Sequence, residues 1–472
     1  MAQWNIAQVA TRPQAPAEPE SIRAWLRLRP VQLLAVLFLV ETIIPFFIWL
    51  GFPGALDFIG EIIAGFMALV VVLHMLAKDN FPIGVFVVLA MTLIWGMVAL
   101  FEGQDVVATA WGWWKMFKYP VVGLYAYLMV PWPKDFPRWA LKFLIGLMLV
   151  EVGVQLLQYA MGEPPGDSLA GTFGPKGMGP QTLFNFLVIA LAFGNWMVTR
   201  TWKWLLLSLA AGLAASLLNL TKFYIPAIVI MGIAAVGLSL IRGGQFRQLW
   251  LFVFLFAGLL AIFVPVFNTF IADARDLPRL QEYLEPERLD KYLNNDGKGD
   301  VDGQYNLGRS LSVSYAWNTI RKDMTSTLFG MGLGVRSYST GLGIQGIAAE
   351  TDLYSRLSGT SLLTLLQELG VVGLLLMGLL NFWVMWSLFR DAKSHNDDDL
   401  QVLEYGLILF SVLWLVWVWY QKAWLHATLN ISYWVLLAYC FHRIKLHKQE
   451  AAARRRPLNG RTAWPLQGQD RS

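Results

Sequence analysis

Charge is what this chain has least of. Only 15% of its 472 residues are Asp, Glu, Lys or Arg, whereas 56% are apolar. Soluble domains carry about 25% charged residues, so polar surface is too scarce to cover a core in water. The apolar residues run in long blocks instead of alternating, and a lipid-facing surface answers both observations. Cysteine is almost missing: Cys440 stands alone, which excludes an intrachain disulfide. Its place in the last apolar block reads as a small buried hydrophobe. Histidine is also scarce. His74, His395, His426, His442 and His447 show no pair at metal-ligand spacing on one helix face, so no metal is expected. There is no P-loop, no Gly-x-Ser-x-Gly elbow and no dinucleotide fingerprint, so neither ATP nor a redox cofactor is expected. The net charge of +5 does not imply nucleic acid, because no soluble basic domain exists to bind it. Internal repeats are missing too, including the inverted pairs of many transporters.

What the chain does have is block after block of about 20 apolar residues, the length that crosses the hydrocarbon core. They predict an all-α polytopic membrane protein with about a dozen transmembrane helices. The expected spans are 31–50, 58–77, 81–101, 113–130, 139–160, 180–198, 203–219, 222–241, 248–270, 361–390, 403–420 and 425–442. Basic residues fall in alternate loops: Lys78, Lys134 with Arg138, Arg200 with Lys203, Arg242 with Arg247, and Arg390 with Lys393. The N-terminal tail carries Arg12, Arg23, Arg27 and Arg29, and the C-terminal tail Arg443, Lys445, Lys448 and Arg454–Arg456. Gly51–Asp57 and Glu102–Gly112 carry no cation. By the positive-inside rule both termini are cytosolic.

The expected organisation is therefore a disordered cytosolic tail over 1–30, with no cleaved signal peptide, and a membrane bundle over 31–270. A non-cytosolic loop domain follows over 271–360, then a second part of the bundle over 361–442 and a basic tail over 443–472. A loop of that length in a compact protein is functional or disordered, and this one mixes the two. Asn294–Gln304 is turn-rich and flexible in composition. Its aspartates hint at calcium, but the bidentate Glu of such a loop is missing. Leu307–Met324 reads as an amphipathic helix with Leu311, Tyr315 and Ile320 near one face, and Phe329–Gly334 as a glycine-rich turn.

Ionisable residues inside spans are costly and mark sites. Lys115 and Lys118 fall near the outer end of the fourth span and Lys222 opens the eighth. Each either snorkels to headgroups or faces an outer cavity together with Arg309, Arg321, Arg336 and Arg356. Glu41, Glu61 and Glu151 also lie inside spans; Glu41 and Glu61 are read as protonated or paired groups of the bundle, with proton relay as the alternative. Glu368 lies about two turns into the tenth span.

Four segments, in order, resemble the superfamily of O-antigen polymerases (Wzy-type) and O-antigen ligases. Gly171–Gly194 is similar to a Gly-Thr-Phe turn leading into an apolar helix. Leu220-Thr221-Lys222-Phe223 falls where the family has Thr-x-Ser-Arg, with Lys222 in place of the arginine. Gly308-Arg309, Trp317 and Leu328–Gly334 resemble the Arg…Trp…Phe-Gly-x-Gly pattern of a large periplasmic loop. Gly359–Gly370 resembles His-Asn-x-Tyr-Leu-x-x-x-x-Glu-x-Gly, which re-enters the membrane. The resemblance covers residues 171–375 and the topology.

The resemblance implies polymerisation of undecaprenyl-diphosphate-linked repeat units into exopolysaccharide, capsule or O-antigen at the periplasmic face of a bacterial inner membrane. It implies a metal-independent glycosyltransferase whose partners are that glycan, membrane lipid and other polysaccharide assembly proteins. Arg309 and Lys222 would hold the diphosphate, helped by Arg336, Arg356 and Lys118. Arg309 would also act in catalysis, and Glu350, Asp352 and Glu368 are the candidate general bases. The family's His-Asn maps onto Gly359 and Thr360, which favours polymerase over ligase because the ligase histidine is missing. The alternatives are a ligase or oligosaccharyltransferase acting on lipid A core or protein, and a transporter or flippase without catalysis.

Overall fold

The computed structural model describes residues 21–78, 81–166, 168–174, 177–221, 223–243, 247–272, 279–294, 308–339, 342–348, 360–420 and 426–455. The protein is an all-α membrane protein. Its helices are α1 (Ile22–Trp25), α2 (Arg29–Trp49), α3 (Asp57–Lys78), α4 (Ile83–Phe101), α5 (Val106–Met129), α6 (Phe136–Ala160), α7 (Met178–Thr199), α8 (Lys203–Leu218), α9 (Tyr224–Ile241) and α10 (Arg247–Phe267). Three short helices follow, α11 (Pro286–Asn294), α12 (Arg309–Ile320) and α13 (Met324–Phe329), and a hairpin of β1 (Tyr338–Ser339) and β2 (Ile344–Gln345). The chain closes with α14 (Ser361–Ala392), α15 (Asp398–Tyr420) and α16 (Ala427–Arg455).

Every predicted apolar block contains a helix. Among the described residues eight helices, α2, α3, α4, α6, α7, α9, α14 and α15, are long and apolar enough to cross a membrane. The lipid-facing character is plain in α3 and α4, where Ile62, Phe66, Leu73, Phe86 and Leu93 are exposed. The centre of the bundle is α7, buried without a break from Gln181 to Met197. It packs on α15 at a glycine pair: a Cβ on Gly194 would stand 2.4 Å from Val402 O, and one on Gly406 2.7 Å from Leu191 Cα. Small residues at a crossing let two backbones approach, which is how apolar helices associate without water to drive them together.

Several expectations change. The fourth block starts seven residues before the expected 113, because Asp105 caps it with bonds from Val107 N (2.9 Å) and Ala108 N (3.1 Å). Lys118 thus sits mid-helix, not near an outer end. The expected disordered tail is ordered from Ser21: Trp25, only 3% exposed, packs on Trp132, Phe136 and Trp139. The basic tail begins as helix, since α16 runs to Arg455. In the loop region α12 buries Ser312, Ala316 and Ile320 with Tyr315 packed beside them, so Ile320 and Tyr315 of the expected face turn inward while Leu311 stays half-buried. Small side chains there let α12 press on Leu363 and Leu366 of α14. Asn294 ends α11, and 295–304 of the turn-rich stretch lie outside the described residues.

One helix is broken. Gly370, inside α14, has φ +63° and ψ −166°, a conformation open to glycine alone. A break inside a membrane helix frees carbonyl groups that need other donors. Here Met331 N–H donates to Gln367 O (2.7 Å) and Trp95 Nε1–H to Leu369 O (3.0 Å). Trp95 is 1% exposed, so Trp95→Phe strands a buried carbonyl. The expected cost is about 1–3 kcal/mol, read as a lower melting temperature in detergent. An unchanged melting temperature would mean the Leu369 carbonyl has another donor.

Candidate functional site

The first functional element is built by amides. Helix α6 presents Glu151, Gln155 and Gln158 on one face, at spacings of four and three, and all three are fully buried. Gln158 grips both backbone groups of Gly171: its Oε1 accepts from Gly171 N–H and its Nε2–H donates to Gly171 O, each at 3.0 Å. Glu151 accepts from Thr172 N–H (2.7 Å) and from the Thr172 hydroxyl. Gln155 Nε2–H donates to Leu169 O (2.6 Å) and to Gln181 Oε1 (2.9 Å). Asn219 Nδ2–H meets the same Gln181 oxygen (3.1 Å), and Asn219 Oδ1 accepts from the Thr221 hydroxyl (2.7 Å). One network therefore fixes both turns singled out in the sequence, Gly171–Phe173 and Leu220–Thr221. Glycine is required at 171, where φ is +62° and a Cβ would lie 2.2 Å from Glu151 Oε2. Glu151 is thus a structural anchor.

The turn aims Phe173 into a cavity of about 250 Å³ lined also by Glu41, Asp57, Glu61, Lys118, Tyr119 and His426. The contributing parts are the C-terminal half of α2, the first turns of α3, the middle of α5, the start of α7 and the first residues of α16 with His426 before it. Lys118 is the hub, with 7% of its side chain exposed. Its Nζ–H groups donate to Glu61 Oε1 at 2.9 Å and to Glu41 Oε1 at 3.2 Å. Trp114 Nε1–H donates to the other Glu61 oxygen, so Glu61 is held on both sides. The Lys118 ammonium also lies 4.7 Å from the centre of the Tyr119 ring. Thr42 and Thr428 hydroxyls pair at 3.1 Å and tie α2 to α16 beside the cavity. With one lysine against Glu41, Glu61 and Asp57, the ionised cavity is net negative. Such a lining suits sugar hydroxyls or a cation, and repels a bare diphosphate.

A second locus surrounds the glycine-rich turn. Gly330, Gly332 and Gly334 all have positive φ and wedge between α4, α5 and the break in α14. Arg336 N–H donates to Glu368 Oε1 (3.4 Å), and Arg336 Nη1–H to Thr364 Oγ1 (3.3 Å). Arg336 is 8% exposed and Glu368 5%. Lys115 Nζ–H donates to Tyr338 O at 3.3 Å. Helix α5 therefore touches both loci, through Lys115 and, one turn further along the same side, Lys118.

Of the residues expected to act, the structure brings Arg336 and Glu368 together and places Lys118 apart from them, among carboxylates. Arg309 opens α12, half-buried. Lys222, Glu350, Asp352, Arg356 and Gly359 lie outside the described residues. Sequence reasoning reads Glu41 and Glu61 as protonated or paired within the bundle and does not name Lys118 as the partner the structure gives both. It missed Gln155, Gln158, Gln181 and Asn219, although amides amid apolar runs are themselves a signal. No model of a known protein family matches this chain, and no curated protein is similar to it in sequence.

Proposed function

We propose that the protein is a polysaccharide polymerase that joins lipid-diphosphate-linked repeat units, with the cavity around Lys118 as its acceptor-sugar site. One observation carries this reading: Phe173 of the Gly-Thr-Phe turn shares a cavity with Glu41, a carboxylate with one oxygen bonded among the described residues. An aromatic face beside carboxylates is apt for a sugar ring, whose hydroxyls donate to the oxygens. Glu41 would take the proton of the attacking hydroxyl as general base, while Lys118, Glu61 and Trp114 hold it in place. The diphosphate is a good leaving group and needs cations as it departs. Arg309, Lys222, Arg336 and Arg356 remain the proposed set for that role. Lys118, with its charge already matched by two carboxylates, positions the base instead.

The bundle would span a bacterial inner membrane, with about twelve crossings and both termini cytosolic. The cavity-forming ends of α2, α3 and α16 then all face the periplasm, on the same side as residues 271–360. The folded pieces α11, α12 and α13 in that region favour a transferase over a simple transporter.

The test is analysis of lipid-linked glycans in the native host. Deletion should build up single repeat units on the carrier, and Glu41→Gln should do the same. Gln keeps the bond to Lys118 but cannot accept the proton, so polymer should fall by about 10²–10⁴-fold with normal membrane insertion. Polymer at the wild-type level in Glu41→Gln removes Glu41 from the chemistry. Finished polymer accumulating on the carrier after deletion means ligase instead.

The net negative charge of the cavity favours a second reading, cation- or proton-coupled transport through the Lys118 triad. It predicts ion-dependent solute uptake by proteoliposomes, and normal repeat-unit joining in the deletion strain.

A further inference from the structure

The far end of α16 carries a second buried polar cluster, roughly 28 Å from the cavity at 1.5 Å rise per residue. Asp391 comes from the last turns of α14, His395 from the turn that follows, Glu404 from α15 and His447 from α16. His395 Nε2 lies 3.1 Å from Glu404 Oε2 and 3.6 Å from Asp391 Oδ2, and His447 Nδ1 lies 3.3 Å from Asp391 Oδ2. The two imidazole rings are 5.0 Å apart, centre to centre. Burial is deep: the side chains of Glu404, Asp391 and His395 are 0%, 9% and 11% exposed, and that of His447 is 23% exposed.

Two features distinguish this cluster from an ordinary hydrogen-bonded knot. Its two carboxylates sit beside two imidazoles, with Arg443 near by at Asp397, and a buried carboxylate is expensive unless a positive group joins it. Glu404, wholly buried, also meets Asp391 carboxyl to carboxyl, so two acidic groups crowd one spot. In a tetrahedral site with bonds of 2.0–2.1 Å, neighbouring ligand atoms are about 3.3–3.4 Å apart. The separations of His447 Nδ1 and His395 Nε2 from Asp391 Oδ2, 3.3 and 3.6 Å, are close to that value, and the ligand atoms of all three residues lie within 4.8 Å of one another.

The geometry points to a zinc-type divalent metal site formed by Asp391 Oδ2, His395 Nε2 and His447 Nδ1, with Glu404 beside His395. Two imidazole nitrogens select zinc, cobalt or nickel over magnesium and calcium, which prefer all-oxygen sets. Its ligands come from the end of α14, the turn after it and α16, so a metal there would clamp the end of α14 to α16. Histidine spacing alone does not reach this set, because His447 joins Asp391 and His395 only through the packing of α16. The site stands independently of the polymerase reading. Binding has one cost. Asp397 N–H now donates to His395 Nδ1 at 3.1 Å, which puts the ring proton on Nε2. Metal on Nε2 moves that proton to Nδ1, so the Asp397 contact must open in the turn before α15.

The test is metal content of the full-length chain, purified in detergent without a histidine tag or chelator. Elemental analysis should give about one zinc per chain, and stripped protein should rebind one equivalent in competition with a fluorescent zinc chelator. Glu404→Gln should weaken binding about 10-fold or more. The double variant His395→Ala/His447→Ala should lose it altogether. Should the double variant fail to fold, cobalt loaded into the stripped wild-type protein gives the answer, since a four-coordinate site produces intense visible absorption. A wild-type chain that binds no stoichiometric zinc, a cobalt spectrum of octahedral type, or unchanged affinity in the double variant would each overturn the site.

Discussion

Lys118→Met should be among the most damaging single substitutions in the bundle. The lysine is nearly buried and faces Glu41 and Glu61, whose side chains are only 15% and 24% exposed. Without its charge, two carboxylates confront each other inside the protein. Breaking a buried pair by removing one member costs about 3–5 kcal/mol, and partial access of solvent to Glu61 puts the expected loss near 3 kcal/mol. The measurement is thermal unfolding in detergent, followed by size-exclusion chromatography. The argument rests on leftover charge, so removing that charge should repair the fold. The triple variant Lys118→Met/Glu41→Gln/Glu61→Gln should recover most of the lost stability while still failing to make polymer. A triple variant as unstable as Lys118→Met would show that the lysine matters through packing, not through charge.

The bundle was legible in the sequence because lipid demands it: an apolar block of the right length has few other fates. Boundaries were less legible where a capping residue decided them, as Asp105 does for α5. The motif turns at Gly171, Leu220 and Gly330 were visible as punctuation between apolar runs. Their use was not. Glu151 reads as a lone charge in a helix until Thr172 folds back onto it. The Lys118 triad joins residues 77 and 57 positions apart, and the Asp391–His447 contact spans 56. No local spacing rule reaches that far. What sequence does supply is a cost: each ionisable group in an apolar block must find a partner, so an excess of such groups announces a site before its membership is known.

Gly334→Ala should destabilise the protein about as strongly as the loss of Lys118, for reasons of space. Gly334 has φ +84°, and a Cβ there would lie 2.1 Å from Ala108 O and 2.9 Å from Thr109 Cα. From the other side, a Cβ on Gly112 would stand 2.3 Å from Gly334 Cα. The obstacles are backbone atoms of α5, which cannot rotate away. Left-handed φ costs a non-glycine residue about 1–2 kcal/mol, and overpacking adds about 1–3 kcal/mol. Gly343→Ala is the matched control. It has φ +64° with nothing within 4 Å of the built Cβ, so it bears the conformational cost alone, about 1–2 kcal/mol. The difference between the two melting temperatures therefore reads the contact of the turn with α5. The same turn leads into Arg336 and Glu368, so Gly334→Ala should also abolish polymer formation, whereas Gly343→Ala should spare it. Equal stability in the two variants would detach the glycine-rich turn from α5, and with it the link between the loop region and the helix that carries Lys118.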